Sequence, residues 1–344
     1  MLTLTKFDEI VKLYGEPNRY IKGGQDVMVT CPQCKNNCLS ISLIDGRMNC
    51  FHCGFGKGKT VGGESTFSRV EKVDLVLQNQ IIKRSLELST LTSECKSYLH
   101  SRGIYNPEKY HIKTVPFQLS RSLKKDFTIH ELLKSGLFHL SNGKVSSNGA
   151  LAPERIMIPY WSGYKVYGMK SRSNPTCVDQ ARYANTTDSI ISKYPFYYGE
   201  GRGDLIITEG ELSALAGIES GFNVMSIPGI TMLNKVSKKI LETINEKSIN
   251  KVFINIDSDP EYWNKRNLIE AALLGAKLFN ATILFLPQKN KNKKMDLDSY
   301  LIENGPEELF KLMETYYTKK DMITAFWKGR LSKLPKYEET ECND

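Results

Sequence analysis

Four cysteines near the N-terminus have the spacing of a metal site. The stretch CPQCKNNCLSISLIDGRMNCFHC contains two C-x2-C pairs separated by 15 residues, formed by Cys31, Cys34, Cys50 and Cys53. Each pair can form a tight turn that directs two thiolates at one ion, and two such turns complete a tetrahedral S4 shell. We therefore predict one structural zinc ion on these four residues. The alternatives are redox-active C-x2-C motifs or free cysteines.

The other cysteines show no pairing pattern. The chain has eight cysteines in all. Cys38 and His52 could substitute as ligands of the quartet, but neither fits its paired turns. The N-terminal stretch MLTLTKFDEI lacks the basic and apolar regions of a secretory signal. A reducing, cytoplasmic setting is therefore expected, and it favours metal binding over disulfides. No apolar run approaches the ~18–20 residues of a membrane span, so we expect no membrane partner.

Local sequence predicts how the quartet is positioned. The segment LSISLIDGRMN alternates apolar and polar residues, and Asp45-Gly46 is a hairpin-turn signal. These features predict a zinc ribbon, a small β domain over residues 1–55 whose folding depends on the metal. Residues 56–89 begin with Gly, Lys and Ser and predict a flexible linker. The end of a phosphate-binding loop is suggested by GKGKT, but Cys53 stands where that loop requires glycine.

A basic, aromatic-rich region follows over residues 90–200. The stretches STLTSECKSYLHSRGI and TIHELLKSGL predict helices that end at Gly103 and Gly136, and ERIMIPYWSGYKVYGMKSRS predicts two paired strands. Basic and aromatic side chains gather around these strands: Arg155, Lys165, Lys170, Arg172, Arg182, Tyr160, Trp161, Tyr164, Tyr167 and Tyr183. Such a mixture can hold phosphates and stack bases, and the net charge of +9 suits a polyanionic partner. Ordinary packing within a sheet is the alternative.

Acidic residues form the second group with chemical potential. From Asp204 onward strands alternate with helices, which predicts a mostly parallel sheet covered on both faces. Four carboxylates follow strand ends or enter the final helix: Glu209, Asp257, Asp259 and Asp296. Because open α/β sheets form their sites at this edge, we expect the four to converge. Glu211, Asp298 and Asp204 are interpreted more simply as helix caps or surface groups.

Clustered carboxylates repel one another unless cations neutralise them. Their hard oxygen atoms suit Mg²⁺ or Mn²⁺. Two such ions can stabilise the attacking and leaving oxygens of a phosphoryl transfer. The sequence therefore predicts a two-metal catalytic site at the edge of the parallel sheet.

Several motifs resemble those of Toprim-type DNA primases. The stretches IITEGELSAL, VFINIDSDPE and KKMDLDSYL resemble the three acidic motifs of a Toprim domain. YLHSRGI, YGMKSRS and ARYANT resemble the basic subdomain that precedes it in these primases, and CPQC with CFHC resembles their zinc ribbon. With four cysteine ligands, the sequence is most similar to the primase half of phage primase–helicases. The resemblance implies an α/β fold with a zinc ribbon, an α+β basic subdomain, a Toprim catalytic domain over 201–305 and a helical tail over 306–344.

The resemblance also implies an activity. A member of this family would be a DNA-directed RNA polymerase, a nucleotidyltransferase that makes short RNA primers on single-stranded DNA during replication. Glu209 would serve in acid/base chemistry or metal binding, and Asp257 and Asp259 would form a metal-binding pair. Asp296 matches the later acidic position. Ser213 departs from the pattern, since many members of the family have a third acidic residue there. One of the two metal ions would therefore have one carboxylate ligand fewer.

The same resemblance implies binding partners. Arg172 and Arg182 would hold phosphates of the incoming nucleotide or the template. Arg47, Phe51 and His52 of the ribbon could read exposed template bases. Residues 306–344 are too few for a helicase, so a replicative helicase would be a separate protein. A bacterial or phage-infected cell, or a plasmid, would be the source.

Two other function classes remain open at this point. A RecR-type recombination or repair factor also joins a four-cysteine zinc module to a Toprim domain, but that family is shorter and lacks a basic sheet of this size. A Toprim nuclease is the other class. A topoisomerase would need a further domain that carries a nucleophilic tyrosine.

Overall fold

The chain folds into two compact units, Met1–Lys72 and Val73–Asp344. The structure is a computed structural model. It describes residues 10–21, 26–42, 46–53, 55–56, 59–60, 73–141, 144–162, 165–175, 183–186, 195–197, 203–256, 266–287 and 294–334.

The N-terminal unit is a five-stranded antiparallel sheet with a helix, α1, described over residues 10–14. The strands follow chain order across the sheet: β1 (Arg19–Ile21), β2 (Asp26–Val29), β3 (Leu39–Ser42), β4 (Arg47–Cys50) and β5 (Lys59–Thr60). Strand β3 pairs with β4 so that Leu39 lies opposite Cys50. This pairing confirms the predicted hairpin, although Asp45 of its turn lies outside the described residues.

Within the described part of this unit the hydrophobic core is small. Its buried members are Ile10, Val27, Val29, Cys31, Leu39, Ile41, Met48 and Cys50. The turn at Gly56, which follows Cys53, approaches strand β4 closely, because a Cβ added at Gly56, where φ is +76°, would lie 2.8 Å from the Met48 Cβ. So few apolar residues bury little surface, which is consistent with a fold that a metal stabilises.

The predicted linker over 56–89 is wrong in its C-terminal part, because residues there form helix α2 (Leu75–Glu87). Asp74 caps its first turn, and Ile82 and Leu86 are buried in the core of the C-terminal unit. The linker was predicted from the glycines and serines at the start of the segment. The apolar residues near its end recur at helical spacing and indicate the helix. Much of the rest of the segment lies outside the described residues.

An antiparallel sheet, here called the basic sheet, dominates the first half of the C-terminal unit. The helices in this half of the unit, after α2, are α3 (Ser93–Ser101), α4 (Leu119–Asp126) and α5 (Ile129–Lys134). The strands are β6 (Lys113–Thr114), β7 (Phe138–Ser141), β8 (Lys144–Ser147), β9 (Ile156–Ser162), β10 (Lys165–Arg172) and β11 (Tyr183–Asn185). The basic sheet has the order β11-β10-β9-β6, and β7 pairs with β8 in a separate hairpin. The predicted helices α3 and α5 and the predicted pairing of β9 with β10 are confirmed.

The second half of this unit contains a five-stranded, mostly parallel sheet. Its strands are β12 (Phe196–Tyr197), β13 (Gly203–Glu209), β14 (Asn223–Ile227), β15 (Ile249–Ile256) and β16 (Thr282–Phe285). The strand order is β12-β14-β13-β15-β16, and β12 alone in this sheet runs antiparallel to its neighbour. The prediction of a mostly parallel sheet is therefore confirmed.

Helices cover both faces of the parallel sheet. They are α6 (Glu211–Glu219), α7 (Leu233–Glu246), α8 (Arg266–Leu278), α9 (Leu297–Thr318) and α10 (Lys320–Lys333). Successive residues of β13 point into different cores, since Ile206 packs in one cluster and Leu205 and Ile207 in another. This alternation is the signature of a strand buried on both faces. Within the described ranges, none of the helices has the length and apolar character needed to cross a bilayer.

The C-terminal segment is part of the core rather than a tail. The predicted boundary at 305 falls inside α9, where Gly305 has φ +80° and interrupts the helix. Beyond it, Leu309 and Met313 are buried on one side of the parallel sheet, and Trp327 of α10 is buried on the other. The described part of the predicted tail is therefore helical, as expected, and is packed against the sheet.

Candidate functional site

The cysteine quartet forms a compact cluster beside the small antiparallel sheet. Cys31 and Cys34 lie in the turn between β2 and β3, while Cys50 ends β4 and Cys53 follows in the next turn. The Sγ atoms of Cys31 and Cys53 are 3.6 Å apart, as are those of Cys34 and Cys50. The four ligand atoms all lie within 4.8 Å of one another.

These distances fit one metal ion. Four sulfur atoms around a zinc ion at about 2.3 Å in tetrahedral geometry are separated by roughly 3.8 Å. The backbone N–H of Cys53 also donates to the Cys50 sulfur at 3.4 Å, a contact that stabilises a thiolate. The predicted cluster is confirmed, and it suits structural zinc because all four positions are taken by protein.

A fifth cysteine lies against the cluster. The Sγ atom of Cys38 is 3.3 Å from that of Cys50 and 3.7 Å from that of Cys34. The sequence interpretation left Cys38 as a possible substitute ligand, outside the predicted quartet because it forms no C-x2-C pair. Cys38 immediately precedes β3, and Leu39, the first residue of β3, pairs with Cys50. This adjacency is the signal that could have predicted that Cys38 lies at the cluster.

Three side chains in and near the second turn of the quartet are exposed. Phe51 is 67% exposed, and His52 and Arg47 are exposed as well. A large aromatic side chain in water costs free energy unless a partner covers it. The three residues that sequence reasoning selected for base contacts are therefore accessible.

The acidic site lies at the carboxyl edge of the parallel sheet. Glu209 is the last residue of β13, and Asp296 immediately precedes α9. Both line a cleft of about 200 Å³, together with Arg102, Lys170, Tyr183, Gly210, Leu212, Ser213, Pro228 and Lys294. The structure thus brings together two of the four predicted carboxylates. Asp257 and Asp259 lie outside the described residues, directly after Ile256 at the end of β15.

Asp296 has two roles visible in its contacts. Its Oδ1 atom accepts hydrogen bonds from the backbone N–H of Ser299 at 3.3 Å and from the Ser299 hydroxyl at 2.5 Å, which makes it the N-cap of α9. Its Oδ2 atom lies 3.5 Å from Arg102 Nη2. Burial raises the pKa of Asp296, but the Ser299 hydrogen bond and the Arg102 charge outweigh burial, so the net shift is downward. Asp296 is therefore held as a carboxylate at the cleft.

Asp298 is the buried member of this pair. Its side chain is 0% exposed, Arg102 Nε donates to its Oδ2 atom, and the Ser213 hydroxyl donates to its Oδ1 atom at 2.8 Å. Burial and the charge of Asp296 raise the pKa of Asp298. The interpretation of Asp298 as a cap or surface group was wrong, because Asp296 is the cap and Asp298 belongs to a buried ion pair.

Arg102 is a site residue that sequence reasoning missed. It follows α3 and reaches across to the start of α9, where it contacts both aspartates and lines the cleft. The signal was present in the stretch SRG, where a cation follows the last helical turn just before a glycine. Only the fold shows that this cation meets residues almost 200 positions further along the chain.

Glu211 was also misassigned as a cap or surface group. It is 0% exposed, and its Oε1 atom accepts from Lys170 Nζ at 3.0 Å and from the Tyr160 hydroxyl. A buried carboxylate requires such partners because desolvation of its charge is otherwise costly. Glu211 therefore links the basic sheet to the first turn of α6.

The predicted basic residues differ in accessibility. Lys170 lines the cleft, and its Nζ atom lies 4.8 Å from the ring centre of Tyr183. Arg172 is 8% exposed and its guanidinium lies between the rings of Tyr98 and Tyr183, at 5.2 and 5.1 Å. Arg172 Nη1 also donates to the Tyr183 hydroxyl at 2.5 Å. These contacts fix the guanidinium rather than leave it in solvent.

Arg155 is not on the surface of the basic sheet. It is 2% exposed, and its Nε and Nη2 atoms donate to the side chain and backbone oxygen of Ser171 at 2.8 and 3.0 Å. A buried guanidinium of this kind joins β9 to β10 and does not present its charge to a polyanion. Arg182 lies outside the described residues.

The fold is that of bacterial primase zinc-binding and RNA polymerase domains. The zinc-binding and RNA polymerase domains of the Aquifex aeolicus primase match over 95% of this chain and 90% of that chain, with a TM-score of 0.53 and 18% identity. The Escherichia coli primase catalytic core matches over 70% and 79%, with a TM-score of 0.55 and 18% identity.

A third solved structure has the same fold. It is the RNA polymerase domain of Mycobacterium tuberculosis primase DnaG in complex with double-stranded DNA, which matches over 70% of this chain and 80% of that chain, with a TM-score of 0.51 and 14% identity. Comparison of the sequence with protein-family models gives no match, and neither does comparison with curated proteins.

Proposed function

We propose that this chain is a DNA primase that synthesises short RNA primers on single-stranded DNA by metal-dependent nucleotidyl transfer. The observation that carries the proposal is the cleft in which Glu209 and Asp296 lie beside Lys170 and Arg102, in a chain with a primase fold. Nucleotidyl transfer needs carboxylates that hold divalent cations and cationic side chains that hold phosphates. Both kinds of group line the one cleft.

The carboxylates fit hard divalent cations. Glu209 and Asp296 offer oxygen ligands at the same cleft, and the lowered pKa of Asp296 keeps its carboxylate charged. With Asp257 and Asp259 they would hold two Mg²⁺ or Mn²⁺ ions. Such ions stabilise the charge that develops on a transferred phosphoryl group. The Toprim assignment of this half of the chain is part of the same proposal.

The chain's own cations would bind and orient the nucleotide. Lys170 is held at the cleft by Glu211 and can contact a triphosphate with its remaining donors. Arg172 is fixed between two tyrosine rings, and with Arg182 it would contact phosphates of the template or nucleotide. Arg155 has no place in this set because its guanidinium is 2% exposed and donates to Ser171 within the basic sheet, whereas Arg172 lies beside Tyr183 of the cleft.

The N-terminal unit would select the template. Its exposed Arg47, Phe51 and His52 can stack on bases and hydrogen-bond to their edges in single-stranded DNA. The other proposed partners are nucleoside triphosphates and a replicative helicase. We place the activity in the cytoplasm of a bacterial or phage-infected cell.

One assay separates the function classes. The protein is incubated with single-stranded oligonucleotides of random sequence, labelled nucleoside triphosphates and Mg²⁺. Labelled oligoribonucleotides support a primase, cleaved template supports a nuclease, and binding without either product supports a RecR-like factor. In the same assay, Glu209→Gln should lose synthesis. Asp204→Asn is the matched control and should keep it, because Asp204 lies near the opposite end of the same strand, 3.9 Å from Lys251.

A further inference from the structure

Five cysteine thiols lie together at the predicted zinc site, one more than a tetrahedral zinc ion binds. Three Sγ atoms form a triangle, with 3.6 Å between Cys34 and Cys50, 3.7 Å between Cys34 and Cys38, and 3.3 Å between Cys38 and Cys50. A tetrahedral ZnS4 group has sulfur–sulfur edges of roughly 3.8 Å. This triangle therefore has nearly the size of one face of such a group, even though Cys38 belongs to neither C-x2-C pair.

Burial shows which ligand of the quartet is most easily replaced. Cys31 is 0% exposed and Cys50 is 2% exposed, whereas Cys53 is exposed to solvent. Cys34 and Cys50 already form the triangle with Cys38. Completing a tetrahedron on that triangle takes one more thiolate, and buried Cys31 remains in place while exposed Cys53 can turn into solvent.

We propose that Cys38 is a fifth metal-binding thiolate that exchanges with Cys53, so that the zinc ion is held by either of two thiolate sets. The sets share Cys31, Cys34 and Cys50. The exchange is balanced without an oxidant: the Cys38 thiol loses a proton as its sulfur binds, and the departing Cys53 thiolate gains one. Zinc permits the exchange because its filled d shell imposes no geometry of its own.

The exchange protects the fold of the N-terminal unit. The small core of this unit depends on the metal for much of its stability. Cys53 is the ligand that electrophiles in solution reach first. A spare thiolate that is less exposed than Cys53 keeps the ion bound when Cys53 is modified.

Alkylation of the unmodified, zinc-loaded chain tests the exchange directly. The protein is treated with limiting N-ethylmaleimide, then digested with trypsin, which cuts after Lys35, Arg47 and Lys57. Cys38 and Cys53 therefore fall on different peptides, and fragmentation separates Cys53 from Cys50. We expect label on Cys38 in some chains and on Cys53 in others, with one zinc ion retained. Label confined to Cys38 overturns the proposal.

Ser variants provide an independent measurement. Zinc content is measured after dialysis against a chelator for Cys53→Ser, Cys38→Ser and the double variant, with Cys342→Ser as the control for loss of a thiol elsewhere. Each single variant should keep one zinc ion per chain, and the double variant should retain zinc at least about tenfold less well. The cobalt-substituted Cys53→Ser protein should show the thiolate charge-transfer intensity of the wild type. Loss of zinc from Cys53→Ser equal to that from the double variant rejects the proposal.

Discussion

Ser213 donates a 2.8 Å hydrogen bond to Asp298, a carboxylate with no solvent exposure that also accepts from Arg102. In the Toprim pattern that the sequence resembles, the position of Ser213 is often acidic. A third carboxylate there would lie against the charge of Asp298. The serine instead supplies a donor, so this departure from the pattern stabilises a buried ion pair.

The first prediction concerns the stability of that pair. Asp298→Ala leaves Arg102, 19% exposed, without its closest counter-charge, and we expect it to lower the free energy of unfolding by about 3–5 kcal/mol. The measurement is urea denaturation of the full chain. The sequence interpretation, in which Asp298 is a helix cap or surface group, predicts almost no change in the free energy of unfolding.

A matched control is available in the same unit. Arg84 Nε contacts Asp126 Oδ2 at 2.7 Å, the same pair of atom types, but both side chains are more than one-third exposed. Asp126→Ala should lower the free energy of unfolding much less than Asp298→Ala, because water screens the exposed pair. Equal losses in the two variants would show that burial does not set the energy of the Arg102 pair.

The second prediction concerns catalysis. Asp257→Ala and Asp259→Ala should abolish primer synthesis, and Glu209→Gln should be nearly as severe, while the melting transition stays that of the wild type. Loss of a metal ligand removes several kcal/mol of transition-state stabilisation, which corresponds to a rate decrease of at least about 100-fold. Templated incorporation of labelled nucleotides measures this rate. Wild-type synthesis by Asp257→Ala would falsify the catalytic assignment.

The third prediction concerns zinc. Purified protein should contain one zinc ion per chain, and Cys50→Ser should release it, because Cys50 belongs to both thiolate sets and contacts both Cys34 and Cys38. Elemental analysis gives the stoichiometry, and far-ultraviolet circular dichroism reports loss of the small sheet. Full zinc content in Cys50→Ser would contradict this assignment.

Much of the fold was predictable because its signals are local. Alternating residues predicted the ribbon hairpin, and apolar strands between helices predicted the parallel sheet. Contacts between distant segments were not predictable in this way. No periodic pattern pairs Arg102 with Asp298 or shows that Arg155 is buried beneath β10, since both depend on how complete elements pack.

The position of Cys38 illustrates the same limit at shorter range. Spacing alone identified the quartet, because paired turns have a fixed geometry. Whether a nearby thiol reaches the cluster depends on strand register, and the pairing of Leu39 with Cys50 decides it. Helix α2 was missed for a different reason. The prediction for residues 56–89 relied on the glycines and serines at the start of this segment and ignored the helical spacing of apolar residues near its end.

The last prediction separates template choice from bond formation. The N-terminal unit, Met1–Lys72, carries the zinc cluster and exposed Phe51, whereas Glu209, Asp296 and Lys170 belong to the C-terminal unit. A fragment starting at Val73 should therefore bind nucleotides and slowly extend dinucleotides on a template. It should lose preference for particular start sites, because base contacts specify sequence and phosphate contacts do not. Its DNA binding should remain salt-sensitive.

The choice of Val73 as the first residue is itself testable. A fragment starting at Ser89 lacks α2 and with it buried Ile81, Ile82 and Leu86, so it should unfold at markedly lower urea concentration than the Val73 fragment. Start-site distributions on one mixed template are then compared for the full chain, the Val73 fragment and full-length Phe51→Ala. We expect the fragment to start without preference and Phe51→Ala to lie between it and the wild type. Identical distributions in all three would place template recognition in the C-terminal unit.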